Sequence, residues 1–539
     1  MKTKLAAVLG IVLVLVVGWL AVQENQKANR GTCHRFAPGS AVAAAPDLYS
    51  KDGFLFVNLS YNTSKDAAGR TLYCFTTSDG KESPTFHVLP GDHLIVTVKN
   101  KLPKPTSAGH MMKVDNSGAQ VCGATTSNAS SVNIHYHGTN VSPACHSDEV
   151  IHTLINSGQT FTYDIGFPVD EPPGLYWYHP HVHGLAESAV LGGASGALVV
   201  EGIEDLQQAV RGLPERILTI RDQVLPHNSP AGSVTPPIVP EKDLSVNYVP
   251  VSYPNYVPAE LTMKPGKKEF WRITNSSADT VIDLELQYDG VPQELQLAGR
   301  DGVPAESQDG TSQGKLIPVK HIVIPPAARA EFIVQGPSPN VKKAQLVTQK
   351  VDTGPDGDSD PARPLIAIHT DSNAAEPSAM PLQSGAPGPQ RFNLLATTPP
   401  TTTRTVYFSE INNKSQFFVT VDGATPKLFS PTNPPAITTK QGSVEDWTLE
   451  NRSRELHTFH IHQIHFFLLE RNGAPAPVLE QQVIDTVDIP AWSGAGPYPN
   501  VKVRLDFRGA DIGDYVYHCH ILEHEDDGMM ATIRVLPRI

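Results

Sequence analysis

The sequence predicts an all-β protein of three similar domains behind an N-terminal apolar segment. Short β-branched and aromatic runs, punctuated by Gly, Pro and Asn, recur along the whole chain, which is the pattern of strands and turns. Long stretches with 3.6-residue periodicity are missing, which argues against helical bundles and doubly wound α/β folds. One element also repeats. Phe86–Asn100 (FHVLPGDHLIVTVKN), Glu269–Asn275 (EFWRITN) and Val444–Asn451 (VEDWTLEN) share one element, a Pro-Gly or Gly turn followed by a strand ending in Asn, at intervals of about 180 residues. The length of 539 residues, at roughly 150 residues per domain, fits three or four domains.

At the N-terminus, Lys2 and Lys4 precede an apolar run from Leu5 to Val22, and the chain then turns polar. A basic start followed by an apolar run is an export segment, and 18 residues just reach the length that spans a bilayer. No small-x-small cleavage site follows it, which favours a membrane anchor over a cleaved signal within residues 1–30. Export places the protein in the periplasm or outside the cell, an oxidising setting in which Cys33, Cys74, Cys122 and Cys145 can form two disulfides. Four cysteines allow three connectivities. Cys122–Cys145 with Cys33–Cys74 is the expected one, because Cys122 and Cys145 flank one short strand.

The first domain is expected over residues 45–205, with a polar loop at Lys104–Ser131 that could lie over a site. A boundary near Val200–Pro214 leads into a middle domain, 206–375. Asp371–Thr403, with APGPQ and TTPPTTT, reads as a linker centred on 376–403. The last domain is expected over 404–539.

Composition narrows the function. With 42 Lys+Arg against 55 Asp+Glu, the formal charge of −13 has the wrong sign for a nucleic-acid partner. At 40% apolar and 18% charged residues, the chain is a folding one. Seven Asn-x-Ser/Thr sites, Asn58, Asn62 and Asn140 among them, permit glycosylation only where the host performs it.

The histidines are gathered rather than scattered. Four His-x-His pairs occur: His135/His137 in NIHYHG, His179/His181 in YWYHPHVHG, His460/His462 in HTFHIHQIH and His518/His520 in YVYHCHILEH. Alternate residues of a strand share a face, so each pair presents two imidazoles to one side. One such pair could be a polar strand face, but four inside aromatic or β-branched strands point to a metal site. Imidazole suits copper, zinc, iron and nickel alike. Cys519 separates these, because it faces away from His518 and His520 and can serve a second site. His524 and Met529 lie five and ten residues after Cys519, and His457 could come from the neighbouring strand, to complete a cysteine, two-histidine, weak-methionine set, which is that of blue copper.

HYHG, WYHPH, HTFHIH and HCHILEHEDDGMM resemble, in order and position, the four copper motifs of three-domain multicopper oxidases of the laccase-like family. The last motif is especially similar to the bacterial spore-coat laccase and cuprous oxidase branch. The resemblance spans about Ala45 to the C-terminus. It implies three cupredoxin-like Greek-key domains and four copper ions, one type 1, one type 2 and two type 3. Carried over motif by motif, it implies His457, Cys519 and His524 with axial Met529 for type 1, and His135 and His460 for type 2. His137, His179, His181, His462, His518 and His520 would hold the type 3 pair. The middle domain offers only His227, His321 and His369, unpaired, and is expected to be a spacer without copper.

The implied reaction takes one electron at a time from a small reducing substrate, with His457 or His524 as the exposed edge. Electrons pass through Cys519 to His518 and His520, and dioxygen is reduced to water. Glu525 matches the family's proton-relay glutamate. Asp148 matches the acid near the type 2 water route, although PACHSD is about two residues longer than the family pattern. His183 and His465 read as supporting histidines, His146 and His152 have no assigned role, and Asp485 is placed either near the substrate pocket or at a strand end.

Other readings fit less well. A two-domain nitrite reductase needs one histidine beside the cysteine, and a copper-free relative would have lost ligands. Only seven methionines occur, without a Met-rich hairpin, which favours a phenol or aromatic amine over Cu(I), Fe(II) or Mn(II). Nothing in the sequence indicates more than a monomer.

Overall fold

The computed structural model describes residues 32–105, 122–226, 239–307, 314–378, 390–411, 415–509 and 511–538. The apolar segment 5–22, His227 and residues 106–121 of the polar loop lie outside the described residues.

Six β-sheets pair into three sandwiches, each closed around its own apolar core. The fold is all-β, three cupredoxin-like domains in a row. The repeated sequence element forms the same strand in each: His93–Asn100, Lys268–Asn275 and Val444–Asn451. Each pairs in parallel with an earlier strand of its own domain, Phe54–Lys65, Glu215–Val224 and Thr402–Ile411 respectively. Alternating residues make this possible. In HLIVTVKN the leucine and valines turn inward while the intervening residues are more exposed, as one buried sheet face requires.

The terminal asparagine recurs because it does the same work three times. The Nδ2 of Asn100 donates to Ser130 O and Ile155 O, that of Asn275 to Thr280 O and Ile324 O, and that of Asn451 to Glu455 O and Pro490 O. In each case a buried amide satisfies loop carbonyls that would otherwise be orphaned. The middle and last domains share a further device. Glu269 accepts from Trp271 Nε1 and Arg216, and Glu445 accepts from Trp447 Nε1 and Arg404. Both tryptophans are fully buried, each contributing about 4–6 kcal/mol of transfer free energy.

The disulfides are Cys33–Cys74 and Cys122–Cys145. Two expectations need correction. The segment 376–403 is not a free linker over its second half: Phe392 and Leu395 are buried against Val303, Val444 and Val483, because two large apolar side chains outweigh the surrounding Pro and Thr. Residues ahead of Ala45 also belong to the fold. Val42 N donates to Glu260 O and Glu260 N to Ser40 O, so they extend a middle-domain sheet edge.

Candidate metal centre

The last domain splits its histidines by strand alternation. His457–Ile461 runs antiparallel to Gly513–Cys519, with Phe459 opposite Cys519 and His460 opposite His518. Residues directly opposite share a face. His457, Phe459 and Cys519 therefore point one way, and His460 and His518 the other.

On the first face, Cys519 Sγ lies 3.6 Å from His457 Nδ1 and 3.7 Å from His524 Nδ1, and those two nitrogens are 3.1 Å apart. The far nitrogens are engaged. His457 Nε2 donates to Ser453 Oγ at 2.6 Å, and His524 Nε2 lies 3.2 Å from Glu455 Oε1. Both imidazoles thus turn their Nδ1 atoms to the sulfur. Met529 is buried in the same core cluster as Cys519, and its carbonyl accepts the Cys519 amide. His457 is fully buried, so of the two expected edges it is His524 that approaches the surface, at 5% exposure. Phe417 stacks on its ring at 4.3 Å.

On the second face, the last domain meets the first. His135–His137 pairs with Gly174–His179, which sets His135 opposite His179. His135 stacks on His462 at 3.8 Å and His137 on His460 at 3.9 Å, ring on ring across the domain boundary. His518 Nε2 lies 3.2 Å from His462 Nε2 and 3.4 Å from His181 Nε2. All eight paired histidines, His520 included, come together and are buried.

Outer contacts orient these rings. The Nδ1 atoms of His135, His179, His460 and His518 donate to Asp148 Oδ2, Pro180 O, Asp485 O and Cys519 O, at 2.8, 2.8, 2.8 and 2.9 Å. That fixes the tautomer with an Nε2 lone pair inward, the arrangement in which histidines ligate metals. The Nε2 atoms of His135, His179 and His460, and both ring nitrogens of His137 and His520, are buried without a hydrogen bond. So many orphaned buried nitrogens are expensive unless they bind something. Burial also lowers the basicity of all eight, taking His460 to about 4, so they are neutral and able to coordinate.

Three acids surround the cluster. Glu525 is fully buried, with its carboxyl oxygens 3.7 Å from His181 Nδ1 and 3.6 Å from His518 Nδ1. Burial, with the nearby Asp526, pushes it well above the ordinary value, which favours its protonated form. Asp148, raised likewise by burial, also accepts from Tyr136 N and Gln463 Nε2. Asp485 is neither a substrate-pocket residue nor an ordinary strand-end acid. It is fully buried against the cluster, with Oδ1 3.4 Å from His137 Nε2. Burial opposes its charge, but the Arg329 guanidinium holds it below the usual carboxylate range.

His465 supports from behind, with Nε2 donating to Asp301 O at 2.9 Å. His183 lies against Phe429. His146 and His152 sit apart, bound to Thr162 O and Glu149, and the exposed His321 and His369 pair with Asp283 and Glu260. Arg329 and Asp301, both middle-domain residues, carried no local signal, so that domain is more than a spacer. Glu455 was findable, because it stands two residues before His457.

A cysteine sulfur and two imidazoles on one face, with Met529 buried in the same core cluster, and eight imidazoles on the other, are the donors that copper takes. Fold and site together define a copper-dependent redox protein built from cupredoxin domains.

Comparison with known proteins agrees. Family models described as multicopper oxidase match residues 109–205 and 396–538. Multicopper oxidase mco of Staphylococcus haemolyticus is 24% identical over 406 residues, covering 74% of this chain and 76% of the relative. Multicopper oxidase MmcO of Mycobacterium tuberculosis is 22% identical over 503 residues, covering 87% and 84%. The solved structure of a multicopper oxidase from Campylobacter jejuni, described as a metallo-oxidase, superposes with a TM-score of 0.65 at 22% identity over 94% of this chain and 96% of that one. These likenesses support a laccase-like multicopper oxidase, an enzyme that oxidises a substrate and reduces dioxygen to water.

Proposed function

We propose that the protein holds four copper ions and that its electron donor is a phenol or aromatic amine. The observation that carries the site reading is the opposite facing of His518 and Cys519 in one strand. His457, Cys519, His524 and Met529 would hold a type 1 ion. His135 and His460 would hold a type 2 ion, and His137, His179, His181, His462, His518 and His520 a type 3 pair. Bound copper supplies one-electron redox chemistry and dioxygen reduction.

The protein's own groups do the rest. His524 presents the edge nearest the surface to the donor, and the Glu455 carboxylate beside it can take the proton that a phenol releases. The peptide links from Cys519 to His518 and His520 join the two sets covalently. Glu525, between His181 and His518, is placed to hold and hand on protons that dioxygen reduction would consume, while Asp148 keeps His135 in its ligating tautomer. Dioxygen, an apolar gas, has an approach through the small apolar chamber that His181 shares with Leu154, Val182 and Phe429.

A second reading rests on Glu455 as well. Its carboxylate interacts with both His524 and Glu410, and paired acids would draw a hard divalent ion, Fe(II) or Mn(II), better than soft Cu(I). An oxygen electrode with phenols and aromatic amines against these three ions decides between them. Faster oxygen uptake with the organic donors is expected, and uptake with a metal ion alone would overturn that choice.

The apolar segment 5–22 and the two disulfides support export to the periplasm or outside the cell, with attachment through an uncleaved segment. We further propose a monomer divided near residues 205 and 375.

A further inference from the structure

Arg329 belongs to the middle domain, is fully buried, and touches all three domains. Nη1 and Nη2 donate to Asp485 Oδ1 and Oδ2 of the last domain at 2.8 and 2.7 Å. Nε donates to Leu175 O of the first domain at 3.1 Å, and Nη1 also to Ala327 O of its own at 3.2 Å. The Arg329 amide is itself fixed by Asp301 Oδ1 at 2.7 Å. On the other side of Asp485 stand two of the cluster's rings. Asp485 Oδ1 is 3.4 Å from His137 Nε2, and Asp485 O accepts from His460 Nδ1 at 2.8 Å.

The neighbouring glycine shows how tightly this is built. A Cβ on Gly138 would lie 2.3 Å from Arg329 Nη2 and 2.5 Å from Asp485 Oδ2, and the residue has φ +84°. The position after His137 must be glycine for the pair to close. A guanidinium fork fixes the plane of a carboxylate as well as its position, which a lysine point charge does not.

We propose that Arg329 is a positioning residue for the histidine cluster: by gripping Asp485 it sets His137 and His460 from a domain that supplies neither. Contacts one step behind a ligand carry about a ten- to hundredfold effect on metal affinity or activity, so the clamp should matter to catalysis and not only to folding.

The test is copper-loaded Arg329→Lys, which keeps the charge and loses the fork. The type 1 absorption should stay unchanged, the type 2 electron paramagnetic resonance splitting should shift, and oxygen turnover should fall about ten- to hundredfold at unchanged KM. A wild-type type 2 spectrum and wild-type turnover, with or without a lower melting temperature, would overturn the proposal. Should Arg329→Lys fail to accumulate, Arg329→Met with Asp485→Asn removes both charges and leaves neither buried alone. The same spectral shift is expected there, and a wild-type spectrum overturns the clamp. Absence of copper signals from the wild-type protein would instead count against the four-copper reading.

Discussion

His518 and Cys519 are adjacent in one strand yet face two different sets of side chains. His518 Nε2 stands 3.2 Å from His462 Nε2, Cys519 Sγ stands 3.6 Å from His457 Nδ1, and His518 Nδ1 donates to Cys519 O at 2.9 Å. Two residues, one peptide link and one hydrogen bond connect the Cys519 face to the histidine cluster. Strand alternation alone produces this, and a helix could not place consecutive residues on opposite sites so simply.

Replacing Cys519 with Ser removes the only free thiol. The Cys519→Ser protein should lose the intense blue absorption of a thiolate-copper bond while keeping its fold, since the change is nearly isosteric. Visible spectroscopy of the copper-loaded variant checks this, and a protein that stays blue would contradict the assignment.

His518→Ala acts on the other face. The blue band should persist while dioxygen reduction is abolished, which spectra and an oxygen electrode read on one sample. Wild-type oxygen consumption would mean that His518 is no part of the cluster.

Glu525→Gln keeps the shape of a buried side chain and removes its proton. Turnover should fall by about 10²–10⁴, the usual worth of general acid catalysis, with the blue band unchanged. Steady-state kinetics with a fast donor will show whether the loss is in kcat; a normal kcat would exclude Glu525 as the proton source.

The eight clustered histidines should hold metal far into acid. Their neutral form is the ligand, and burial lowers each below the ordinary value of 6.5, His460 to about 4. A lowered value extends the neutral range downward, so protons compete with copper only below it. Ordinary histidines would lose about tenfold in affinity per ligand for each pH unit below about 6.5. Here the copper content of the cluster after equilibrium dialysis should stay level from about pH 7 to about pH 4 and drop below that. Loss beginning near pH 6 would refute it.

Period-two patterning made the strands and the ligand pairs legible, because a strand's geometry turns sequence spacing directly into side-chain direction. The Asn-ended repeat was legible for a related reason, since each domain must satisfy the same loop carbonyls. What stayed hidden depends on contacts distant in sequence. Arg329 in PPAARAEF has no local feature that leads to Asp485, 156 positions away. Asp485 reads from sequence as a substrate-pocket or strand-end acid because Arg329 and His137, which define its position, come from other domains. Phe392 and Leu395 were masked by Pro and Thr around them, although burial at 1% each decides their conformation.

The strand-closing asparagines also bear on how the enzyme can be made. Asn275 and Asn451 each open an Asn-x-Ser sequence, yet both are fully buried with their Nδ2 atoms bonded to loop carbonyls. A yeast or animal secretory pathway transfers its oligosaccharide to the emerging chain, before these amides are hidden. A sugar on either nitrogen would take its hydrogen bonds and leave a group too large for the core to enclose. Substituting the residue loses the same bonds, so a host that does not glycosylate is the route to active protein.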